Sequence, residues 1–218
     1  MRHAALRLGL VLACLALSPV ATAQSTDILL NCSTCHTVNT TEGTTGRDIY
    51  PNLNGQPARY IERQLRAYRD GRREHRQMSL TATALGDGAG AMARLYADAP
   101  VPYLEFGDPL GAHNTALALV NEGDWSRGLP PCASCHALDP EDDRARAAPR
   151  IHGQPEAYLG QELRAYAEGT RRSGPMGRMQ AFSQQLTPSE ISALARYYAA
   201  WKTPPADPAA QEMEARND

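Results

Sequence analysis

One five-residue arrangement occurs twice in this chain: Cys32-Ser33-Thr34-Cys35-His36 and Cys132-Ala133-Ser134-Cys135-His136. Thiols three residues apart share one face of a helical turn, and a histidine directly after the second thiol projects from the same turn. Each thiol can add to a vinyl group of one porphyrin while the imidazole reaches its iron, so C-x-x-C-H reads as a c-type haem attachment site. A zinc ribbon would need a second Cys/His pair close by, and the two motifs lie 100 residues apart. A dithiol redox pair has no need of the histidine. Two covalently bound haem c groups are therefore expected, attached at Cys32, Cys35, Cys132 and Cys135, with His36 and His136 as axial ligands.

The elements that must hold these groups also repeat. Gly55 to Gly71 matches Gly153 to Gly169 without a gap, and 9 of the 17 positions are identical. An internal repeat fixes the architecture, and the chain reads as a tandem duplication. Each copy reads as a helix: Pro57 and Pro155 suit the first turn, and Gly71 and Gly169 suit the position just past the end. Tyr60, Ile61, Leu65 and Tyr68 form one stripe, as do Tyr158, Leu159, Leu163 and Tyr166. Core packing is the expected role of both stripes.

A second helix should close each half. Thr187-Pro188-Ser189-Glu190 is a capping-box start, followed by Ile191, Leu194, Ala195 and Tyr198 on one face, with Trp201 at the end. Its counterpart, Gly86 to Tyr96, aligns at an offset of 101, which puts Tyr96 on Tyr197. Three glycines, Gly86, Gly88 and Gly90, each cost about 1 kcal/mol against alanine inside a helix, so this copy should be short or frayed. Asn114 to Glu122 is expected to form a leading helix for the second half, truncated in the first to Ser25–Asn31.

A sixth iron ligand separates an electron carrier from a catalyst, and methionine there raises the potential. In the first half Met78 is the candidate, because Met92 falls in the closing helix. In the second half Met176 and Met179 compete. Counting forward from Gly71 and Gly169 pairs Met78 with Met176; counting back seven residues from Leu85 and Leu186 gives Met78 and Met179. An insertion near Ser173-Gly174-Pro175 reconciles the counts and favours Met179, since the loop must rejoin the last helix at fixed geometry. His75, His113 and His152 have no repeated partner and are expected to be loop or surface residues, and Met213 is too remote to be a ligand. The carbonyls of Pro51 and Pro149 are candidates to orient the two proximal imidazoles.

Arg2, His3 and Arg7, the apolar run Leu8–Leu17 and Ala21-Thr22-Ala23 form a secretory signal, with Cys14 leaving in it. The expected layout is a signal peptide over 1–23, a first domain over 24–98, a linker over 99–112, a second domain over 113–203 and a disordered tail over 204–218. Without the leader, 20 Lys+Arg face 24 Asp+Glu, a formal −4 that argues against nucleic acid as a partner. No transmembrane segment is expected in the mature chain.

The doubled C-x-x-C-H, the doubled run from Pro51 or Pro149 through Gly-Gln to the paired tyrosines, and a methionine seven residues before each leucine resemble the cytochrome c4 family. That resemblance covers about residues 25–202. It implies a mainly α fold: two tandem cytochrome c-type helical domains related by a pseudo-two-fold axis, with His/Met ligation at both irons. It also implies electron transfer, typically toward a terminal oxidase. No triad, paired-carboxylate site or extra insertion suggests a substrate pocket, so a soluble periplasmic carrier of single electrons with no catalytic residues is expected, with a terminal oxidase, a quinol-oxidising complex or a dehydrogenase as partners. The alternatives are a cytochrome subunit of a larger dehydrogenase and, further off, a di-haem peroxidase or a thiosulfate-oxidising enzyme.

Overall fold

The computed structural model describes residues 32–36, 49–101, 104–107, 113–138 and 147–202, with the side chains of 113–115 and 202 left aside. The signal segment with Cys14, the Ser25–Asn31 stretch and the tail with Met213 lie outside the described residues.

The first half places a helical turn over residues 32–36 (α1), then α2 (Ala58–Arg69), α3 (Arg76–Leu85) and α4 (Ala89–Ala97). The second half repeats the plan after α5 (His113–Asn121): α6 (Ala133–His136), α7 (Glu156–Glu168), α8 (Arg178–Ser183) and α9 (Pro188–Ala199). Each half buries its own core. Tyr60, Ile61, Leu65 and Tyr68 of α2 pack with Ala82, Met92, Ala93 and Tyr96; Leu159 of α7 packs with Leu119, Val120, Leu129, Leu194 and Tyr198. The α2 stripe is thus core-facing, whereas the α7 stripe divides, with Leu159 in the core, Tyr158 and Leu163 packed against it and Tyr166 outside it; the fold is two cytochrome c-type helical domains.

Local chemistry explains the element ends. Pro57 and Pro155 stand one residue before their helices as N-caps, where neither helix loses an amide. Thr187 and Glu190 form the expected capping box of α9, the threonine hydroxyl accepting from the Glu190 amide and the carboxylate from the Thr187 amide. The glycines before α4 act as foreseen in part. Gly86–Gly88 is a 3-10 turn, and regular α-helix begins only at Ala89.

Three features differ from the sequence reading. Both ligand-candidate methionines sit in the first turns of short helices, α3 and α8, rather than in loops. Periodicity marks α3 poorly, since half of its ten residues are exposed and its sole buried residue is Ala82. The linker is not featureless, since Glu105–Phe106 (β1) pairs antiparallel with Trp201–Lys202 (β2) and the Phe106 ring lies 5.3 Å from those of Tyr197 and Trp201. Finally, the Gly55 amide donates to the Tyr96 carbonyl and the Gly153 amide to that of Tyr198, so Tyr96 corresponds to Tyr198 and not to Tyr197. The closing helices carry one more residue of slippage than a count from Leu85 and Leu186 reveals.

The linker also explains the repeated Gly-Gln-Pro. Gly55 and Gly153 have φ of 66° and 71°. A Cβ on Gly55 would overlap Val101 Cγ2, and one on Gly153 would lie 3.0 Å from Leu104 Cδ1 and 3.2 Å from the Trp201 carbonyl oxygen. Each domain accepts one linker side chain against a glycine that has no room for more.

Candidate haem sites

The motif cysteines fall where the chain can aim them. Cys132 sits at the N-cap of α6, held by its amide to the Leu119 carbonyl at 3.2 Å, so α5 fixes the start of the motif. Cys32 and Cys132 each pack at the margin of their own domain's core, and all four motif thiols are free. Burial holds the Cys32 and Cys132 thiols above their ordinary pKa, Cys132 to about 11, so both are neutral thiols at pH 7 in the absence of a covalent bond.

The histidine next in line is oriented by backbone. His36 Nδ1 donates to the Pro51 carbonyl at 2.9 Å, and His136 Nδ1 donates to the Pro149 carbonyl at 2.9 Å. With Nδ1 committed, only Nε2 of each ring is left to meet a metal. Burial, partly offset by that carbonyl, lowers the pKa of both imidazoles, so both are neutral and able to ligate. The two prolines anticipated as orienting groups are the ones that act.

Both half-sites open into one cavity of about 1100 Å³. Its wall includes Cys32, Cys35, His36 and Met78 from the first half and Cys132, Cys135, His136 and Met179 from the second. Met179 lies on this wall; Met176 does not, being 77% exposed with a left-handed φ of 54°. Among the other candidates, His75 caps α3 by accepting from the Met78 amide at 3.3 Å. His152 stacks edge-on against Tyr198 and Trp201, and burial lowers its pKa to about 4. The side chain of His113 is outside the described residues.

A porphyrin fits this donor set. Two thiols, one imidazole and one thioether converge twice on a mostly apolar hollow, and the wall also carries Arg63, a cation suited to a carboxylate of such a group. Arg63 Nε is buried without a partner among the described residues. Among the described residues no group of three or more His, Cys, Asp or Glu side chains could hold a bare metal ion.

The Cytochrome c family model matches residues 24–99 and again 131–199. The chain belongs to the cytochrome c family. The thiosulfate dehydrogenase electron acceptor of Stutzerimonas stutzeri (strain A1501) is 31% identical over 171 residues, 77% of each chain. The structure of Acidithiobacillus ferrooxidans cytochrome c4 superposes with a TM-score of 0.62 at 28% identity, covering 78% of this chain and 98% of that one. Thiosulfate dehydrogenase (TsdBA) from Marichromatium purpuratum gives a TM-score of 0.65 at 32% identity, over 81% of this chain and 37% of that chain. With both C-x-x-C-H motifs in place, the protein is a cytochrome c4-like di-haem electron-transfer cytochrome carrying two covalently bound haem c groups.

Between the domains of this cytochrome lies a cluster that the sequence reading missed. Glu162 accepts from Arg73 Nη2 at 2.5 Å and from Arg171 Nη1 at 2.6 Å. The Gln64 side-chain oxygen accepts from Arg73 at 3.0 Å, Arg171 at 2.9 Å and Ser173 at 2.7 Å. Each arginine therefore binds partners in its own domain and across the interface: Arg171 also donates from Nε to Ser173 at 3.0 Å, and Tyr158 and Tyr60 are further cross-domain acceptors for Arg73 and Arg171. Burial works against charge on Glu162, and the two guanidiniums outweigh it and hold its carboxyl below the usual range. The signal was present: Arg73 and Arg171 repeat at the offset of 98 that relates the two blocks, two residues beyond their last glycine.

Proposed function

We propose that the cytochrome is a periplasmic one-electron relay with His36 and Met78 as axial ligands in the first domain and His136 and Met179 in the second. Cys32, Cys35, Cys132 and Cys135 carry the thioether links, in domains spanning 24–98 and 113–203. The observation that carries this reading is the single cavity, which brings all eight of these side chains to one wall. Each haem iron, when bound, takes up and gives back one electron. The chain's own part is to fix the imidazoles by Pro51 and Pro149, to keep them neutral by burial, and to exclude water with the α2 and α7 stripes. With Met78 beside His36 and Met179 beside His136 holding it, an iron would have no place left for a small molecule, which favours a carrier over a catalyst.

The likeness to two thiosulfate dehydrogenase-linked proteins favours a particular donor, a thiosulfate-oxidising dehydrogenase, with this chain as its electron acceptor or its cytochrome subunit. The oxidised protein is expected to show a near-infrared His/Met charge-transfer band from both haems and no high-spin signal. Met179→Ala should remove half of that band, and Met176→Ala should leave it whole. The reverse pattern refutes the ligand assignment. Stopped-flow mixing with a thiosulfate dehydrogenase and thiosulfate should reduce both haems; no reduction refutes the donor.

A further inference from the structure

The two domains exchange glutamines. Gln154, 4% exposed, accepts from the Asn52 amide through Oε1 at 2.8 Å and donates from Nε2 to the Asn52 carbonyl at 2.9 Å. Gln56, 3% exposed, does the same to Arg150 of the other domain, at 2.9 Å from the amide and 2.7 Å to the carbonyl. An amide proton must face oxygen and a carbonyl must face N–H, so the pairing itself fixes which way round each side-chain amide lies.

Position in the chain gives these contacts a consequence. The peptide unit joining Pro51 to Asn52 has its carbonyl oxygen on His36 Nδ1 and its N–H on Gln154. The unit joining Pro149 to Arg150 has its oxygen on His136 Nδ1 and its N–H on Gln56. Hydrogen bonds in a chain polarise one another, and a peptide that donates through N–H becomes a better acceptor at its oxygen. A better acceptor draws the Nδ1 proton further and makes the ring a more electron-rich ligand. The nearer contacts of each glutamine within its own domain are weaker and fall on the next peptide unit: Gln154 Nε2 to the Arg150 carbonyl and Gln56 Nε2 to the Asn52 carbonyl, both at 3.4 Å.

We infer that Gln56 and Gln154 are positioning residues that act across the domain interface, each strengthening the proximal-histidine hydrogen bond of the opposite haem and lowering that haem's reduction potential. This rests on the assignment of His36 and His136 as iron ligands. Gln154 of the second domain tunes the haem at His36, and Gln56 of the first tunes the haem at His136. The two lobes are coupled through backbone amides, independently of any contact between the haems.

The test is a redox titration of the haem-loaded protein, with the two haems followed separately by their shifted methyl proton resonances. Gln154→Met keeps length and loses both polar contacts. It should raise the potential of the haem at Cys32 and Cys35, changing that haem's reduced-to-oxidised ratio about three- to tenfold, or about 28–59 mV for one electron. The haem at Cys132 and Cys135 should move much less, and Gln56→Met should give the mirror result. A shift confined to the substituted domain's own haem, or equal at both, overturns the inference. Should neither variant load haem, amide exchange in the unsubstituted reduced protein decides. Asn52 and Arg150 must exchange slowly, and exchange at the rate of open peptide overturns the inference. The near-infrared band of the unsubstituted protein separates the two readings: its absence refutes Met78 and Met179 as ligands and leaves the glutamine role standing, whereas a normal band with unshifted variants refutes only the glutamine role.

Discussion

Replacing Glu162 with glutamine leaves two buried guanidiniums facing each other without the carboxylate they share. Arg73 and Arg171 side chains are 6% and 5% exposed, and that of Glu162 is 17%. Removing one partner of a buried ion pair costs about 3–5 kcal/mol, chiefly the penalty of the charge left behind. The partial exposure of Glu162 puts the expected loss near the lower end, about 3 kcal/mol, or more than a hundredfold in the folding equilibrium. Because both arginines cross the interface, the loss should appear as earlier separation of the domains. Guanidinium unfolding of the haem-loaded protein, followed by far-ultraviolet circular dichroism, should show a lower midpoint with a distinct first transition. The triple change Arg73→Met, Glu162→Leu, Arg171→Met should cost much less than the single one, because no buried charge is then stranded. The sign with pH follows from the depressed carboxyl. Its stabilisation is complete above the ordinary value of 4.5 and is lost as pH falls through the lowered one, so Glu162→Gln should flatten the acid limb of stability. A single-substitution loss below about 1 kcal/mol, or a triple variant weaker than the single one, refutes the reasoning.

Two further outcomes test the supports of the second domain. The hydrogen bonds from Arg127, with those from Thr187, lower the Glu190 carboxyl to about 2, so its stabilising effect, present above 4.5, should fade between 4.5 and about 2. Glu190→Gln should remove that pH dependence and cost about 1–2 kcal/mol at neutral pH, read by denaturant midpoint; an unchanged acid limb refutes the assignment. Gly153→Ala forces a left-handed φ on alanine and a Cβ 3.2 Å from the Trp201 carbonyl oxygen, and should lose at least about 1–2 kcal/mol. A neutral effect would mean that the β1–β2 pairing does not hold the linker there.

Much of this was legible because covalent chemistry and duplication leave marks in local sequence. C-x-x-C-H constrains five consecutive residues, and the Gly-Gln-Pro block constrains a helix and the turn before it. The capping box at Thr187 and Glu190 is likewise a four-residue signal, and the structure forms it as written. What failed was the register of the closing helices. A count from Leu85 and Leu186 cannot see where the slack of the glycine turn is absorbed, whereas the amides of Gly55 and Gly153 select Tyr96 and Tyr198. The strand pair β1–β2 left no pattern either, since two-residue strands have no period.

The domain interface was hidden for a different reason: its partners lie about a hundred residues apart and look ordinary one at a time. Gln56 and Gln154 read as part of a helix-start motif, and Arg73 and Arg171 as basic residues after a helix. Only the symmetry makes them informative. A two-fold relation brings each residue onto the neighbourhood of its own repeat, so a polar group duplicated at the block offset of 98 is a candidate for satisfying its twin's surroundings. By that argument the informative break is at positions 64 and 162, where glutamine faces glutamate. Two carboxylates there would balance the two guanidiniums, and two glutamines would leave both charges stranded. One of each leaves a net positive charge buried on the wall that both iron sites share. Across these gap-free blocks the repeat therefore keeps its spacing and is unequal in charge, which is enough to make two sites built from the same residues electrostatically distinct.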